Sequence, residues 1–589
     1  MPSMERNLKV RAGVGYFLVR VGVGFFVVVG GAALAIPPKN VLDRLPQPTE
    51  EPVAVEPLSQ GGSQMMLGTS GGFDVLNMVV RSHVTPQSFS TNTTCTANST
   101  NVCANDVWGY VSPSGREYAI LGLRTGTGVV DVTDPDAPVI VGAISDASSI
   151  WSDMKTYQQY MYNSNESGGG IQVINMANVD PPTRQLSLVR SITQSGLQEA
   201  HTLALNEESG YLYLCGSNLG GGRLVALSLA DPSFPVISGQ ALQGVYVHAA
   251  QVVSYTSGPY AGREIAFCYC GSQGLKILDV TDKSNMFTMG SLIYPNTSYC
   301  HQGWLSADKK TLYVNDEMDE TGSGYTTRTL VFDVTDFATA AYVTSFTTGL
   351  NAIDHNLYVR DGFIFEANYR SGLRIFDSND SALAPVQVGF FDTYPENNAT
   401  GYDGAWSNFP FFPSGTVIVS DINRGLFILD PSAALTRNII PGAFAVGPGL
   451  WVSGGLAEMA SSDDQYFVMR RNLAQDEVGE EIELKLDGVA PSETPNAFSF
   501  LFESRAPYIG IQQRVWLWDW VASQYVLSDT RTLPTTDTAI TVTPTGNLSR
   551  FVQVGTKAVR AKITLSNVQA DTVVEYVIRV DRAVWRIVP

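Results

Sequence analysis

Histidine is scarce in this 589-residue chain: there are five, against 37 Lys and Arg and 56 Asp and Glu. Basic runs are missing, and the formal net charge is −19. Phosphate binding needs clustered Lys and Arg, so nucleic acid is excluded as a partner and anionic lipid is disfavoured. Helical periodicity is almost absent. Short runs of Val, Ile, Leu, Phe and Tyr alternate with Gly, Pro, Asp, Asn and Ser, which predicts an all-β fold. Gly-rich phosphate loops, a G-x-S-x-G elbow, a C-x-x-C pair and H-E-x-x-H are all missing. Without a catalytic constellation, a non-catalytic role is the expectation.

Long apolar runs are also lacking. The best candidate, Val21 to Ala35, spans fifteen residues behind Arg6, Lys9, Arg11 and Arg20. A membrane helix needs about 20 apolar residues. The run ends in Ala33-Leu34-Ala35, a small-x-small pattern suited to signal peptidase. Residues 1–35 are therefore expected to be a cleaved secretory signal. The alternative is an uncleaved N-terminal anchor, the one case in which a membrane becomes a partner. Residues 36–72, rich in Pro, Glu, Ser and Gly, cannot bury a core and are expected to form a flexible stalk. Export fits the six cysteines. Cys95 and Cys103 bracket a polar loop and are expected to pair locally, whereas Cys215, Cys268, Cys270 and Cys300 allow three connectivities.

What the sequence does contain is a repeat. Similar segments surround His201 (AHTLAL), His248 (VHAAQV), His301 (CHQGWL) and His355 (DHNLYV). Weaker copies surround Asp106, Asp153 and Gly404, giving gaps of 47, 48, 47, 53, 54 and 49 residues. Each copy continues with an alternating strand, a turn, a second strand and a glycine-led third strand, and most copies add a fourth. Four antiparallel strands at this period predict a blade of a β-propeller. Seven copies predict seven blades over residues 73–435, with the strand at 73–86 closing the ring against the last blade. The aspartates ending the third strands (Asp131, Asp231, Asp279, Asp333, Asp377 and Asp430) are expected to cap turns.

The third strands, "VVDVTDPDAP", "LKILDVTDKSN" and "LRIFD", resemble LVIVD repeats. The ordered set "NDVWGYV", "YCHQGW", "NDEMDE", "AIDHNLYV", "EANYRSGLRIFD" and "GAWSNFPFF" resembles the choice-of-anchor B family of exported proteins. The resemblance covers about residues 73–432. It implies an LVIVD-type propeller outside the cell, secreted or at the cell surface, and brings no established activity. Members tend to carry C-terminal sorting signals, whereas this chain ends in the strand-like "VDRAVWRIVP".

Beyond residue 440 the repeat is gone. Several alternating runs predict a β-sandwich over 440–589. Its conspicuous feature is "RVWLWDW", which places Trp516, Trp518 and Trp520 on one strand face. That face serves either as sandwich core or as a stacking platform for a sugar.

Propeller first strands line the central channel, so His201, His248, His301 and His355 are expected to converge near one mouth, with Asp106 and Asp153 at the same depth. Imidazole and carboxylate suit a divalent transition metal such as Zn, Cu, Fe or Ni. Equally, each histidine could simply fasten one blade to the next blade's carbonyl. Asn315 to Glu320, "NDEMDE", lacks the spacing of an EF-hand loop and is expected to be a solvated acidic turn. Three functions follow: a non-catalytic binding or scaffold module with a protein or polysaccharide partner, a metal-dependent enzyme using the histidines, or a component of a surface layer.

Overall fold

A computed structural model describes residues 18–21, 24–29, 32–35, 67–89, 102–474, 481–568 and 575–589. Leu18–Val21, Gly24–Val29 and Ala32–Ala35 form a small antiparallel sheet. Among the described residues, no helix is long and apolar enough to cross a membrane.

Between Leu67 and Asp430 the chain folds into successive antiparallel sheets; the first five are hairpin meanders, and the last two take in strands from the start of this region. Their innermost strands are Ala104–Val111, Met154–Tyr157, Thr202–Asn206, Ala249–Tyr255, Cys300–Leu305, Asn356–Arg360 and Ala405–Phe409. Each packs on the next, and the last packs back on the first, so the sheets close a ring. That is the β-propeller arrangement. Apolar cores lie between neighbouring sheets. Ala119 and Leu121 of the first sheet share a core with Ile418, Leu426 and Ile428 of the last, which seals the junction.

The expected single closing strand at 73–86 is in fact two. Phe73–Leu76 pairs with Val386–Phe391 and extends the sixth sheet, with Leu67–Ser70 outside it. Asn77 then takes a left-handed φ of 53°, tied through its amide to the Val388 carbonyl at 2.8 Å. Asparagine tolerates this conformation better than most residues. The reversal sends Val79–Val84 onto Gly425–Asp430, where it supplies the fourth strand of the last sheet.

The strand-ending aspartates cap turns as expected. Each of Asp131, Asp231, Asp279, Asp333, Asp377 and Asp430 accepts the amide N–H two residues on, at 2.9–3.2 Å. Short polar side chains satisfy backbone donors where the ladder stops.

After Asp430 the chain builds two further antiparallel sheets. One is ordered Leu450–Ser453, Phe467–Arg470, Val577–Val588, Ala497–Arg505, Thr538–Val542. The other is ordered Ala443–Val446, Ile482–Val489, Ala558–Asn567, Ile511–Asp519, Gln524–Thr532. Alternate residues of both sheets, among them Phe500, Phe502, Leu484, Leu517, Ile563 and Trp585, enclose one core. Val515 and Leu517 take the inward face of Ile511–Asp519, so Trp516 and Trp518 point away from that core. The core alternative is thereby corrected for Trp516 and Trp518. All three tryptophans lie half-buried under cations, Lys562 over Trp516 at 4.9 Å and Arg560 near Trp518 and Trp520 at 5.8 and 5.6 Å.

Deleting residues 67–84 should strip the last sheet of its outer strand and expose an unpaired edge. Calorimetry should show the melting temperature falling by more than about 10 °C, the equivalent of several kcal/mol. Unchanged melting would contradict the closure described here. Trp585→Ala, which empties the second core, should cost about 3–5 kcal/mol in urea unfolding.

Candidate metal centre

The four repeat histidines converge. His201 precedes the third inner strand and His248 the fourth. His301 lies on the fifth, and His355 precedes the sixth. Neighbouring rings stand 4.1–4.4 Å apart, centroid to centroid, in an arc around the channel.

One hydrogen bond repeats along this arc. His248 Nδ1 lies 2.9 Å from the His301 carbonyl, His301 Nδ1 lies 3.0 Å from the His355 carbonyl, and His355 Nδ1 lies 2.5 Å from the Trp406 carbonyl. A carbonyl only accepts, so each Nδ1 carries the proton. In a neutral imidazole the other nitrogen is then a bare lone pair. His201 follows the same rule with Glu166 Oε1 as acceptor at 2.6 Å. The blade fastener and the ligand reading were posed as alternatives, yet the geometry combines them: Nδ1 fastens and Nε2 is presented.

The presented nitrogens meet each other and a carboxylate. His201 Nε2 and His248 Nε2 are 2.7 Å apart. His301 Nε2 and His355 Nε2 each lie 3.7 Å from a Glu317 oxygen. His301, Glu317 and His355 offer ligand atoms all within 4.8 Å of one another. Two donors bonded to one ion at about 2.1 Å stand at most about 4.2 Å apart, which admits the two 3.7 Å separations from Glu317. The Tyr369 hydroxyl donates to Glu317 Oε1 at 2.8 Å and fixes the carboxylate.

Two bare lone pairs at 2.7 Å repel, so the His201–His248 contact requires a proton or a cation between them. Burial opposes charge on His201, but Glu166 outweighs it and its pKa is raised. His248 and His301 are held well below the usual imidazole value, first by burial and then by neighbouring imidazoles. His355 is lowered to about 3 by burial, against the bond it makes to Trp406. Burial raises Glu317 to about 7. Three imidazoles therefore stay neutral in weak acid, the form that binds a metal.

Asp106 and Asp153 line the same cavity of about 60 Å³ as the four histidines. Their carboxylates are committed elsewhere. Asp153 accepts from Lys155 and from the Leu203 amide at 2.7 Å. Gln251 and Gln302 do the same job for the Leu305 and Leu357 amides. Asp153 is thus an inter-blade clamp. Asp106 is raised to about 8, by burial first and then by Asp153 beside it. The carboxylates that do reach the imidazoles are Glu166, at His201, and Glu317, inside the expected solvated turn. That expectation is corrected: Asn315, Asp316, Glu317, Asp319 and Glu320 are all buried. Glu166 was likewise missed, and no spacing rule marks it.

Lys155 and Trp304 border both this chamber and a larger cavity of about 570 Å³, into which Trp108, Tyr110, Phe409 and Phe411 project. The fifth histidine stays outside the arc, with His83 bonding the Arg424 carbonyl at 2.6 Å and stacking on Phe427. Cys215, Cys268, Cys270 and Cys300 are buried free thiols, so none of the three connectivities forms. Burial raises the Cys270 pKa to about 12 and those of the other three upward as well. Cys103 is buried, and its expected partner Cys95 lies outside the described residues.

Among solved structures the chain is similar to U3-55K, at 9% identity and TM-score 0.39, over 56% of this chain and 95% of that one. It is similar to the WD40 β-propeller domain of Doa1, at 10% identity and TM-score 0.39, over 61% and 97%. It is also similar to the C-terminal WD40 domain of Sif2, at 7% identity and TM-score 0.35, over 56% and 81%. No family model and no curated protein matches the chain. The ring of sheets, not these likenesses, defines the fold.

The depressed His355 value has a sign. Below pH 6.5 the unfolded chain takes up a proton that the folded protein refuses until about pH 3, so folding loses stability as pH falls through that window. Glu317 and His201, both raised, act in the opposite direction. His355→Asn should therefore flatten the acid side of the stability profile, by at most about 1.4 kcal/mol per pH unit. Urea unfolding with chelator present, at several pH values between about 6 and 4, measures it. Equal slopes in both proteins would show that His355 is not held neutral.

Proposed function

We propose that this protein is an exported, seven-bladed propeller of the LVIVD type whose axis binds a transition-metal ion through His201, His248, His301, His355 and Glu317. The observation that carries the reading is the repeated Nδ1 bond. Each of the four imidazoles is oriented by its own acceptor, and the bare Nε2 atoms face a common space beside a carboxylate. Metal-binding histidines are held in this way by their second nitrogen. Imidazole with carboxylate suits Zn, Cu, Fe or Ni. A bound ion would supply Lewis-acid or redox chemistry at the end of the aromatic-lined cavity. The protein's own part is to orient the ligands, keep His248, His301 and His355 unprotonated and exclude bulk water.

Elemental analysis of untagged protein should find about one transition-metal ion per chain. His248→Ala combined with His301→Ala should abolish it. Glu166→Gln should weaken binding about 10–100-fold by loosening His201. Metal-free wild type that takes up no Zn, Cu, Fe or Ni on reconstitution would refute the centre.

A second reading treats the chain as a binding module, with a protein or polysaccharide at the cell surface as partner. It is favoured by the outward-facing Trp516 and Trp518, with Trp520 beside Trp518, on what we take to be a C-terminal β-sandwich, because tryptophan faces stack on sugars. Trp518→Ala should then reduce retention on a polysaccharide column and leave metal content unchanged. Export itself predicts a mature chain starting near Ile36 and an oxidised Cys95–Cys103 pair. N-terminal sequencing and thiol counting of extracellular protein check both.

A further inference from the structure

The histidines stand where the inner strands begin, and the cavity of about 570 Å³ lies toward the ends of the same strands. Val111, Gln158 and Glu207 are exposed and mark its mouth. Lys155 and Trp304 form its floor, against the histidine chamber. The volume is that of a small-molecule site, about 300–1,000 Å³.

One wall is aromatic. Its rings touch in a closed circuit. Centroid separations are 5.8 Å from Trp108 to Tyr358, 5.0 Å from Tyr358 to Trp304 and 6.0 Å from Trp304 to Phe411. Phe411 then stands 5.4 Å from Phe409, and Phe409 5.0 Å from Trp108. Trp108, Trp304 and Phe411 are only half-buried and border the cavity. The facing wall is aliphatic, with Leu203 and Leu205 from the third sheet and Ala250 and Val253 from the fourth. A sugar between these walls would strand its hydroxyl groups, which is costly. A flat apolar ring would bury both of its faces.

The polar groups are few and mostly spent. Lys155 donates to Asp153 and to the Met154 carbonyl, and its ammonium lies 4.2 Å from the Trp108 ring centroid. Thr156 donates to the Gly109 carbonyl at 3.2 Å. The ammonium at the floor is thus paired, which favours a neutral ligand over an anion. Gln251 differs from its counterpart in the next sheet. Gln302 closes two bonds on Leu357, accepting from its amide and donating to its carbonyl, both at 2.9 Å. Among the described residues Gln251 makes only the first of these, with the Leu305 amide at 2.9 Å. Its side-chain N–H donors are left to the cavity that it lines.

We propose that this cavity binds a small neutral aromatic compound of the phenol class. The ring lies between the aromatic wall and the leucines of the third sheet, and the hydroxyl oxygen accepts from Gln251. The binding needs the cavity and not an ion, so it goes beyond the metal-centre reading and is tested apart from it.

The test uses the full chain stripped with EDTA, 1-naphthol as probe and titration calorimetry. The wild type should bind about one molecule, with Kd of roughly 100 μM or tighter for a ligand of this size. Cellobiose should not displace it. Trp304→Ala should weaken binding about tenfold through lost stacking, and Trp304→Phe should restore most of it. Gln251→Glu keeps an oxygen for the Leu305 amide but removes the open donor, and should also cost about tenfold. Trp518→Ala, on the C-terminal sheets, should leave the affinity unchanged. No uptake up to roughly 1 mM, displacement by cellobiose, unchanged affinity in both Trp304→Ala and Gln251→Glu, or loss in Trp518→Ala would each overturn the site. His248→Ala with His301→Ala should keep 1-naphthol binding. That variant separates failure here from failure of the transition-metal reading.

Discussion

A histidine N–H held by the backbone carbonyl of the next sheet is the constraint on which the centre of this molecule depends. The sheets of a propeller meet mainly through side chains, so their relative rotation needs fixing near the axis. Here Nδ1 of His248, His301 and His355 performs the fixing, each reaching the succeeding inner strand. Gln251, Gln302 and Asp153 add parallel clamps a short distance along the channel. Because an imidazole has two nitrogens, fastening the sheets with one defines where the other points. Packing and ligand geometry are two results of one bond.

Charge is distributed with the same economy. The chain is strongly acidic, yet many of its carboxylates are neither solvated nor decorative. Asp131 and Asp279 are buried, and each combines a turn cap with a guanidinium. Glu264 gathers the Tyr213 hydroxyl, the Asn206 amide and Lys283 at 2.7–2.9 Å. Such groups are satisfied locally, as buried charge must be. Asn315, Asp316, Asp319 and Glu320, which flank Glu317 in the chain, are buried as well.

The C-terminal sheets follow a simpler rule. Ile482–Val489, Ala497–Arg505 and Ile511–Asp519 alternate strictly, and one face of each closes a shared core. The other face of Ile511–Asp519 carries aromatic rings under Lys562 and Arg560, which shield them without burying them. This region also touches the propeller, since Val588 shares a core with Val417, Val419 and Leu435.

The repeat was legible in the sequence because a propeller blade is a local object. Its strands follow one another within one period, and alternation, glycine and turn aspartates all report on neighbours a few residues away. For the same reason the turn role of Asp131, Asp231 and their equivalents could be read directly, as could the convergence of His201, His248, His301 and His355. What the sequence could not separate was the task of each side chain in the channel. Asp106 and Asp153 fall near the same spacing as the histidines, yet a short carboxylate beside Lys155 and the Leu203 amide is consumed there. Glu317 sits in a polar segment whose composition reads as surface, and only the closing of the sixth sheet over the fifth buries it. The closing segment was recognised as a strand, but its division at Asn77 depends on two different sheet edges being within reach. Which face of the tryptophan strand points inward was equally open, because a period of two marks that the faces differ and not which one meets the opposing sheet. Local pattern determined the strands, the blades and the ring. Tertiary packing decided which polar groups lost their water, and that loss is what turns a histidine and a glutamate into candidate ligands.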